Sequence, residues 1–155
     1  MLRRFLLLAF AVVLTAAAQK YAGPRPPKAD LPYLKHAETL IATEAADAKE
    51  EKKKDDILYI VEGANSSVKT PLASPIFLFQ SAKLAPERLQ LFKLDSKGGR
   101  REILYSPKHP PKAIRVEVTR LAPDLYRIEV NESLEPGEYS LSPEGTNQVF
   151  CFQVF

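Results

Sequence analysis

Tryptophan is absent from this sequence, and cysteine is nearly so. The 155 residues include one cysteine, Cys151. A single thiol cannot form an intramolecular disulfide, although small secreted domains are often stabilised by such bridges. The fold must therefore be stabilised by packing, unless Cys151 pairs with another chain. Because residues 149–152 read Val-Phe-Cys-Phe without a basic neighbour, we expect a buried thiol that packs as a small apolar side chain.

Metal ligands and catalytic motifs are also scarce. The two histidines, His36 and His109, have no second ligand at a useful spacing, whereas zinc and copper sites usually need three or four ligands. No Gly-x-Ser-x-Gly motif is present. Acidic and basic residues alternate, as in Arg115 and Glu117, which is typical of ion pairs on an exposed strand face. The sequence thus predicts no catalytic, cofactor-binding or metal-binding residue, and it favours a protein that is not an enzyme.

Only one long apolar run is present, and it lies at the N-terminus. Arg3 and Arg4 precede residues 5–14, which are all apolar, and residues 15–18 are small. This order is typical of a secretory signal peptide, here residues 1–18, cleaved after Ala18. Ten residues rise only about 15 Å as a helix, half the hydrocarbon thickness of a bilayer. The sequence therefore predicts an exported protein, periplasmic or secreted, without a transmembrane segment in its mature chain.

The mature chain carries almost no net charge. The whole sequence has 22 lysine and arginine residues against 19 aspartate and glutamate residues, a formal charge of +3. Removing Arg3 and Arg4 with the signal leaves 20 against 19, a charge of +1. A nearly neutral chain gives no electrostatic argument for binding nucleic acid. We therefore expect partners among proteins or cell-envelope components.

Residues 19–56 are predicted to form a polar lead-in. Residues 22–27 are rich in proline, which favours extended, polyproline-like backbone. The few apolar residues between 31 and 41 could dock as one strand or form a short helix around residues 35–42. Residues 45–56 carry mixed charge without apolar periodicity, which is typical of a solvated linker or an exposed helix. A binding tail is the alternative.

Residues 57–155 are predicted to form one all-β domain. Short apolar or alternating runs recur there between turn residues, as expected of strands. Gly98 and Gly99 lie between two of the runs and predict a hairpin. The pattern favours an antiparallel β-sandwich of about eight short strands, immunoglobulin-like or transthyretin-like in form. The runs are residues 57–61, 75–79, 89–94, 102–105, 114–119, 126–130, 138–141 and 148–155.

Residues 134–141 read Leu-Glu-Pro-Gly-Glu-Tyr-Ser-Leu. This segment resembles a motif of immunoglobulin-like sandwiches, in which a tyrosine at the start of a late strand packs inward. The resemblance implies that the Tyr139 hydroxyl bonds to nearby backbone, the arrangement known as a tyrosine corner. It is best over residues 134–155. The overall layout resembles that of small exported bacterial proteins with an immunoglobulin-like sandwich domain.

Three classes of function follow from these observations. The first is a non-catalytic binding or structural module of the cell envelope, acting through loops or an edge strand. The second is an accessory subunit of a larger envelope assembly, acting by edge-strand or tail contacts. The third is an enzyme whose site is not visible in the sequence. The lack of catalytic groups favours the first class.

Overall fold

The protein is all-β. A computed structural model describes residues 20–155, and the predicted signal peptide, residues 1–18, lies outside the described residues. Within the described residues the helical structure is limited to one 3-10 turn, Pro86–Arg88, and no helix there is long and apolar enough to cross a membrane. The strands are β1 (Tyr33–His36), β2 (Thr39–Ala42), β3 (Glu44–Asp47), β4 (Lys49–Lys53), β5 (Asp56–Glu62), β6 (Lys69–Thr70), β7 (Ile76–Gln80), β8 (Leu89–Lys97), β9 (Arg100–Tyr105), β10 (Val116–Ala122), β11 (Leu125–Val130), β12 (Gly137–Pro143) and β13 (Gln148–Val154).

The predicted antiparallel β-sandwich is confirmed. All eight strands predicted between residues 57 and 155 are present, as β5 and β7–β13, and the short β6 is added to them. The hairpin predicted at Gly98 and Gly99 joins β8 to β9, where Lys97 pairs with Arg100. Both glycines have a positive φ, 60° and 76°. A two-residue turn between twisted strands favours this conformation, which glycine adopts without steric cost.

Two sheets enclose the main core. The five-stranded sheet has the order β10-β11-β7-β1-β2, and the eight-stranded sheet has the order β3-β13-β12-β8-β9-β5-β4, with β6 paired in parallel to β13. Between the sheets, Phe77 of β7 meets Phe152 of β13 edge to face, and Tyr139 of β12 stacks on the same Phe152 ring. Burying a side chain of this class contributes about 1.5–3 kcal/mol, so these rings are a large part of the folding free energy.

The structure differs from the expectation for the lead-in, because residues 33–53 form four strands. β1 and β2 belong to the five-stranded sheet, and β3 and β4 belong to the eight-stranded sheet. The chain is held in place even before β1. The backbone N–H of Asp30 donates to the carbonyl of Gln80 at 2.8 Å, and its carboxylate accepts three backbone N–H groups of residues 82–84. Residues 33–53 are therefore part of the folded unit.

In the charge-rich run at residues 45–56, alanines take the inward positions of residues 45–49, whereas every residue of β4 is charged. Ala46 and Ala48 are covered by the sheet, whereas Asp47 and Lys49 are exposed. This is the period of two that a strand requires, with small side chains in the place of large apolar ones. Charged side chains on an edge strand also discourage pairing with other chains. The charged residues are therefore conspicuous in the sequence, whereas the alternation that indicates a strand is weak.

The eight-stranded sheet must roll up, because one stretch of chain supplies both of its edges. β3 and β4 stand at opposite ends of the strand order, six spacings apart. In a flat sheet these edges would be about 29 Å apart. Only Ala48 separates β3 from β4, and two residues of extended chain span about 7 Å. The sheet is therefore closed on itself through residues 44–53, and we call it the rolled sheet.

The predicted tyrosine corner is present. The Tyr139 hydroxyl donates a hydrogen bond to the backbone carbonyl of Glu135 at 2.7 Å. Tyr139 is 1% exposed, and Leu134 and Leu141 are also buried. The corner thereby holds the turn before β12 against the main core.

The corner predicts a graded loss of stability. Tyr139→Phe removes only the hydrogen bond and should lower the free energy of unfolding by about 0.5–1.5 kcal/mol. Tyr139→Ala also leaves a cavity and should lower it by about 3–5 kcal/mol. Denaturant unfolding measures both losses. Tyr105→Phe is the control, because Tyr105 is 41% exposed. A Tyr139→Ala variant as stable as the parent would refute the corner.

Candidate binding cavity

The rolled sheet has an inner face opposite the main core. Residues directly paired across antiparallel strands share a face, so the registers identify the inward side chains. They run from a polar end to an open end. They are Glu44 and Ala46 of β3, Tyr59 and Val61 of β5, Gln90, Phe92 and Leu94 of β8, Arg101, Ile103 and Tyr105 of β9, Glu138, Ser140 and Ser142 of β12, and Val149, Cys151 and Gln153 of β13.

A buried ion pair closes the polar end. Arg101 is 2% exposed, and its two terminal nitrogens contact the two carboxylate oxygens of Glu44 at 2.8 and 3.1 Å. The guanidinium also donates to the carbonyls of Glu62 and Gly63, at 2.7 and 2.9 Å. All three of its nitrogens therefore have acceptors. Removing one partner of a fully buried pair typically costs about 3–5 kcal/mol, and the cost is smaller here because the Glu44 side chain is 21% exposed. Removing Glu44 would still leave the buried Arg101 charge without its counter-ion, so the pair fixes this end of the sheet.

Glu138 lies beside this pair and is incompletely bonded. It is 4% exposed, and one carboxylate oxygen accepts the backbone N–H of Ser66. Its Oε2 and the Oε1 of Gln153 find no hydrogen-bond partner among residues 20–155, and the two residues are paired across β12 and β13. Burial raises the pKa of the Glu138 carboxyl. A protonated Glu138 would place an O–H donor near a buried acceptor.

Cys151 is buried on the same inner face, as the sequence predicts. Its exposed fraction is 0%, and it packs with Val149, Leu94, Val61 and Ala48. Burial raises the pKa of the thiol to about 12, so it stays protonated at neutral pH. A protonated, enclosed thiol is a poor nucleophile and metal ligand.

The other end of the rolled sheet opens into a cavity of about 540 Å³. Its floor consists of Ala48, Val61, Leu94 and Val149, each less than a tenth exposed. Its walls consist mainly of the larger apolar and aromatic side chains, with hydroxyl groups on one side. The wall residues are Tyr59, Phe92, Ile103, Tyr105, Ser140 and Ser142. Cavities of this size and composition are typical of small-molecule sites.

Two loops form the mouth of the cavity. The first connects β9 to β10 and contributes Pro110, Pro111 and Ala113. It is held at its far end by the backbone N–H of Ile114, which donates to the carbonyl of Leu91 at 2.8 Å. Prolines restrict the backbone of this loop, so the mouth has a defined shape.

The second loop connects β12 to β13 and contributes residues 144–147, which follow Pro143 at the end of β12. Glu144 ties it to the turn before β8. The backbone N–H of Glu144 donates to the carbonyl of Arg88 at 3.0 Å, and the Arg88 guanidinium donates to the Glu144 carbonyl at 2.9 Å. Both sides of the mouth are thus fastened to the sheet.

The histidines lie apart from the cavity lining. His36 Nε2 contacts the Thr70 hydroxyl at 2.9 Å, and His109 is exposed in the β9–β10 loop. Among residues 20–155, no group of three or more histidine, cysteine, aspartate or glutamate side chains could hold a metal ion.

The sequence predicts β5, β8, β9, β12 and β13 around the cavity, but it predicts neither the stretch that contains Ala48 as part of the sheet nor the cavity itself. The sequence of β8 does indicate a second covered face. Leu89 and Leu91 lie on one face of this strand, and Phe92 and Leu94 lie on the other. A strand that is apolar on both faces must be covered on both faces. The second cover is the rolled part of the sheet.

Comparison with protein-family models, curated proteins and solved structures finds no match for this chain. The function is therefore argued from the cavity and its surroundings.

The raised pKa of Glu138 predicts a pH-dependent stability. The contribution of Glu138 to the free energy of unfolding is full below about pH 4.5, the ordinary pKa of the carboxyl. It is lost as the pH rises through the pKa of the folded state. Glu138→Gln should raise the melting temperature at neutral pH and reduce the difference in stability between about pH 4 and about pH 8. Thermal unfolding across this range measures the effect, with the exposed Glu132→Gln as control. Identical pH profiles for Glu138→Gln and the parent would contradict the prediction.

Proposed function

We propose that the protein is an exported, non-catalytic binding module of the cell envelope that takes an uncharged ligand into the rolled sheet. The observation that carries this proposal is the cavity of about 540 Å³ at the open end. An apolar floor, aromatic walls and a few polar groups are the usual composition of a site that binds a small molecule. The export signal read from residues 1–18 supports the cellular location.

The charge of the lining supports an uncharged ligand. Among the described residues, no lysine or arginine lines the cavity, and the acidic lining residue there is Glu144, which is exposed at the mouth. A charged group that enters an apolar cavity loses hydration without gaining a counter-ion. A neutral ligand avoids this cost.

The chemistry of the lining supports binding over catalysis. Ser140 and Ser142 are the serines of the lining, and their hydroxyl oxygens lie 3.0 Å from each other. A serine nucleophile needs a neighbouring base, and the described lining contains no histidine or lysine. Cys151 remains a protonated thiol beneath the floor.

The strand pairing of residues 33–53 helps to distinguish a binding module from an accessory subunit. A tail that completes a partner's sheet needs free backbone N–H and carbonyl groups. In this chain β1 pairs with β2 and β7, β3 pairs with β13, and β4 pairs with β5. A detached tail would require β1, β3 and β4 to leave their sheets, whereas β2 stands at an edge of the five-stranded sheet. The pairing therefore favours the binding module over an accessory subunit that acts through a free tail.

A neutral fluorescent probe tests the proposal. N-phenyl-1-naphthylamine should bind with increased emission, because the cavity transfers it from water to apolar surroundings. Ala113→Phe places a ring at the mouth and should weaken binding by at least about tenfold, equivalent to about 1.4 kcal/mol. Ala82→Phe, at an exposed loop position outside the lining, is the matched control. Absent binding, or equal binding by both variants, would overturn the proposed site.

A further inference from the structure

Two unlike walls face each other across the cavity. Because residues 44–53 act as one strand at the closure, β5 lies three positions from β12 in either direction around the rolled sheet. The two strands therefore lie on opposite sides of the rolled sheet, and Tyr59 of β5 lines the cavity together with Ser140 and Ser142 of β12. One wall offers an aromatic surface, and the other offers hydroxyl groups.

The hydroxyl wall can bind a further polar group. Ser140 and Ser142 share one hydrogen bond of 3.0 Å, and Ser140 is 2% exposed. Two hydroxyls that share one bond retain one donor and several acceptor lone pairs. Gln90 is paired with Ser142 across β8 and β12 and adds an amide to this wall. The polar groups thus form a short row that runs from the mouth into the cavity.

The opposite wall suits the face of a ring. Tyr59 is half-buried and lines the cavity together with Ile103 and Tyr105, while Phe92 adds a third aromatic side chain beside the serines. Aromatic side chains pack favourably against other rings in offset or edge-to-face arrangements. This wall gives apolar contact area and the hydroxyls of Tyr59 and Tyr105, and its described residues include no basic group that could pair with an anionic substituent.

From these two walls we infer that the ligand is a neutral compound built on a flat apolar ring with a hydroxyl group on its edge. The ring packs against Tyr59, and the hydroxyl bonds to the Ser140–Ser142 pair. The apolar floor receives the remainder of the ring system. This inference rests on the proposed function and adds the chemical class of the ligand to it.

Three matched probes test the class. 2-Naphthol carries a ring and a hydroxyl, naphthalene carries the ring alone, and 2-naphthoate carries the ring with a negative charge. Equilibrium dialysis against the protein gives a Kd for each. We expect 2-naphthol to bind about tenfold more tightly than naphthalene, the size of one good hydrogen bond, and 2-naphthoate to bind most weakly.

Variants of the two walls identify the partners of the probe. The double variant Ser140→Ala/Ser142→Ala should weaken 2-naphthol by about tenfold and leave naphthalene within about twofold. The pair Ser67→Ala/Ser133→Ala, at exposed positions outside the lining, is the matched control. Tyr59→Ala should weaken both ring compounds. A melting curve for each variant confirms that it is folded.

The outcomes separate the inference from the function on which it rests. The ligand class is supported if the protein binds 2-naphthol more tightly than naphthalene and loses this preference only in the Ser140→Ala/Ser142→Ala variant. Equal binding of 2-naphthol and naphthalene, both weakened by Ala113→Phe, overturns the ligand class and leaves the binding cavity in place. If no probe binds, both the ligand class and the proposed function fail.

Discussion

The structure depends on one constraint, which is that residues 44–53 supply both edges of the rolled sheet. β3 completes the ladder beside β13, and β4 completes the ladder beside β5, with Ala48 between them. This closure brings the two ends of the sheet together and creates an inner face that a flat sheet would expose. The cavity, the buried Cys151 and the polar end all lie on that inner face. A break in this stretch would therefore expose all three together.

The two ends of the inner face differ, because one end is filled by bonded polar side chains and the other end is open. At one end Arg101 and Glu44 form a bidentate ion pair that is enclosed by the loop after β5. A buried ion pair adds little net stability, but breaking it is costly, so it restricts the sheet to one arrangement. At the other end the mouth loops leave the space open. The polar end is filled by bonded side chains, so the cavity opens at the end that the two mouth loops surround.

The sequence predicts the strands well and the closure poorly, for a physical reason. Alternation and turn residues mark every strand after residue 56 except the two-residue β6, and the Tyr139 corner follows from a local motif. The closure depends on contacts between distant parts of the chain, such as that of Arg101 with Glu44, which no local pattern encodes. The alanines at positions 46 and 48 conceal β3, because a small side chain gives a weak apolar signal, and β4 has no apolar residue to mark it. The cavity is a product of the closure, and the sequence signals it only indirectly, through the apolar residues on both faces of β8.

Hydrogen exchange at the amides of residues 44–53 tests the closure most directly. The backbone N–H of Ala48 donates to the carbonyl of Asn147 at 2.7 Å, in line with the ladder between β3 and β13. In the closed sheet, the Ala48 amide and its paired neighbours should exchange on the slow timescale of β13, since they open only when the sheet opens. Exchange of these amides at the rate of an unstructured chain would contradict the rolled sheet and the cavity that depends on it.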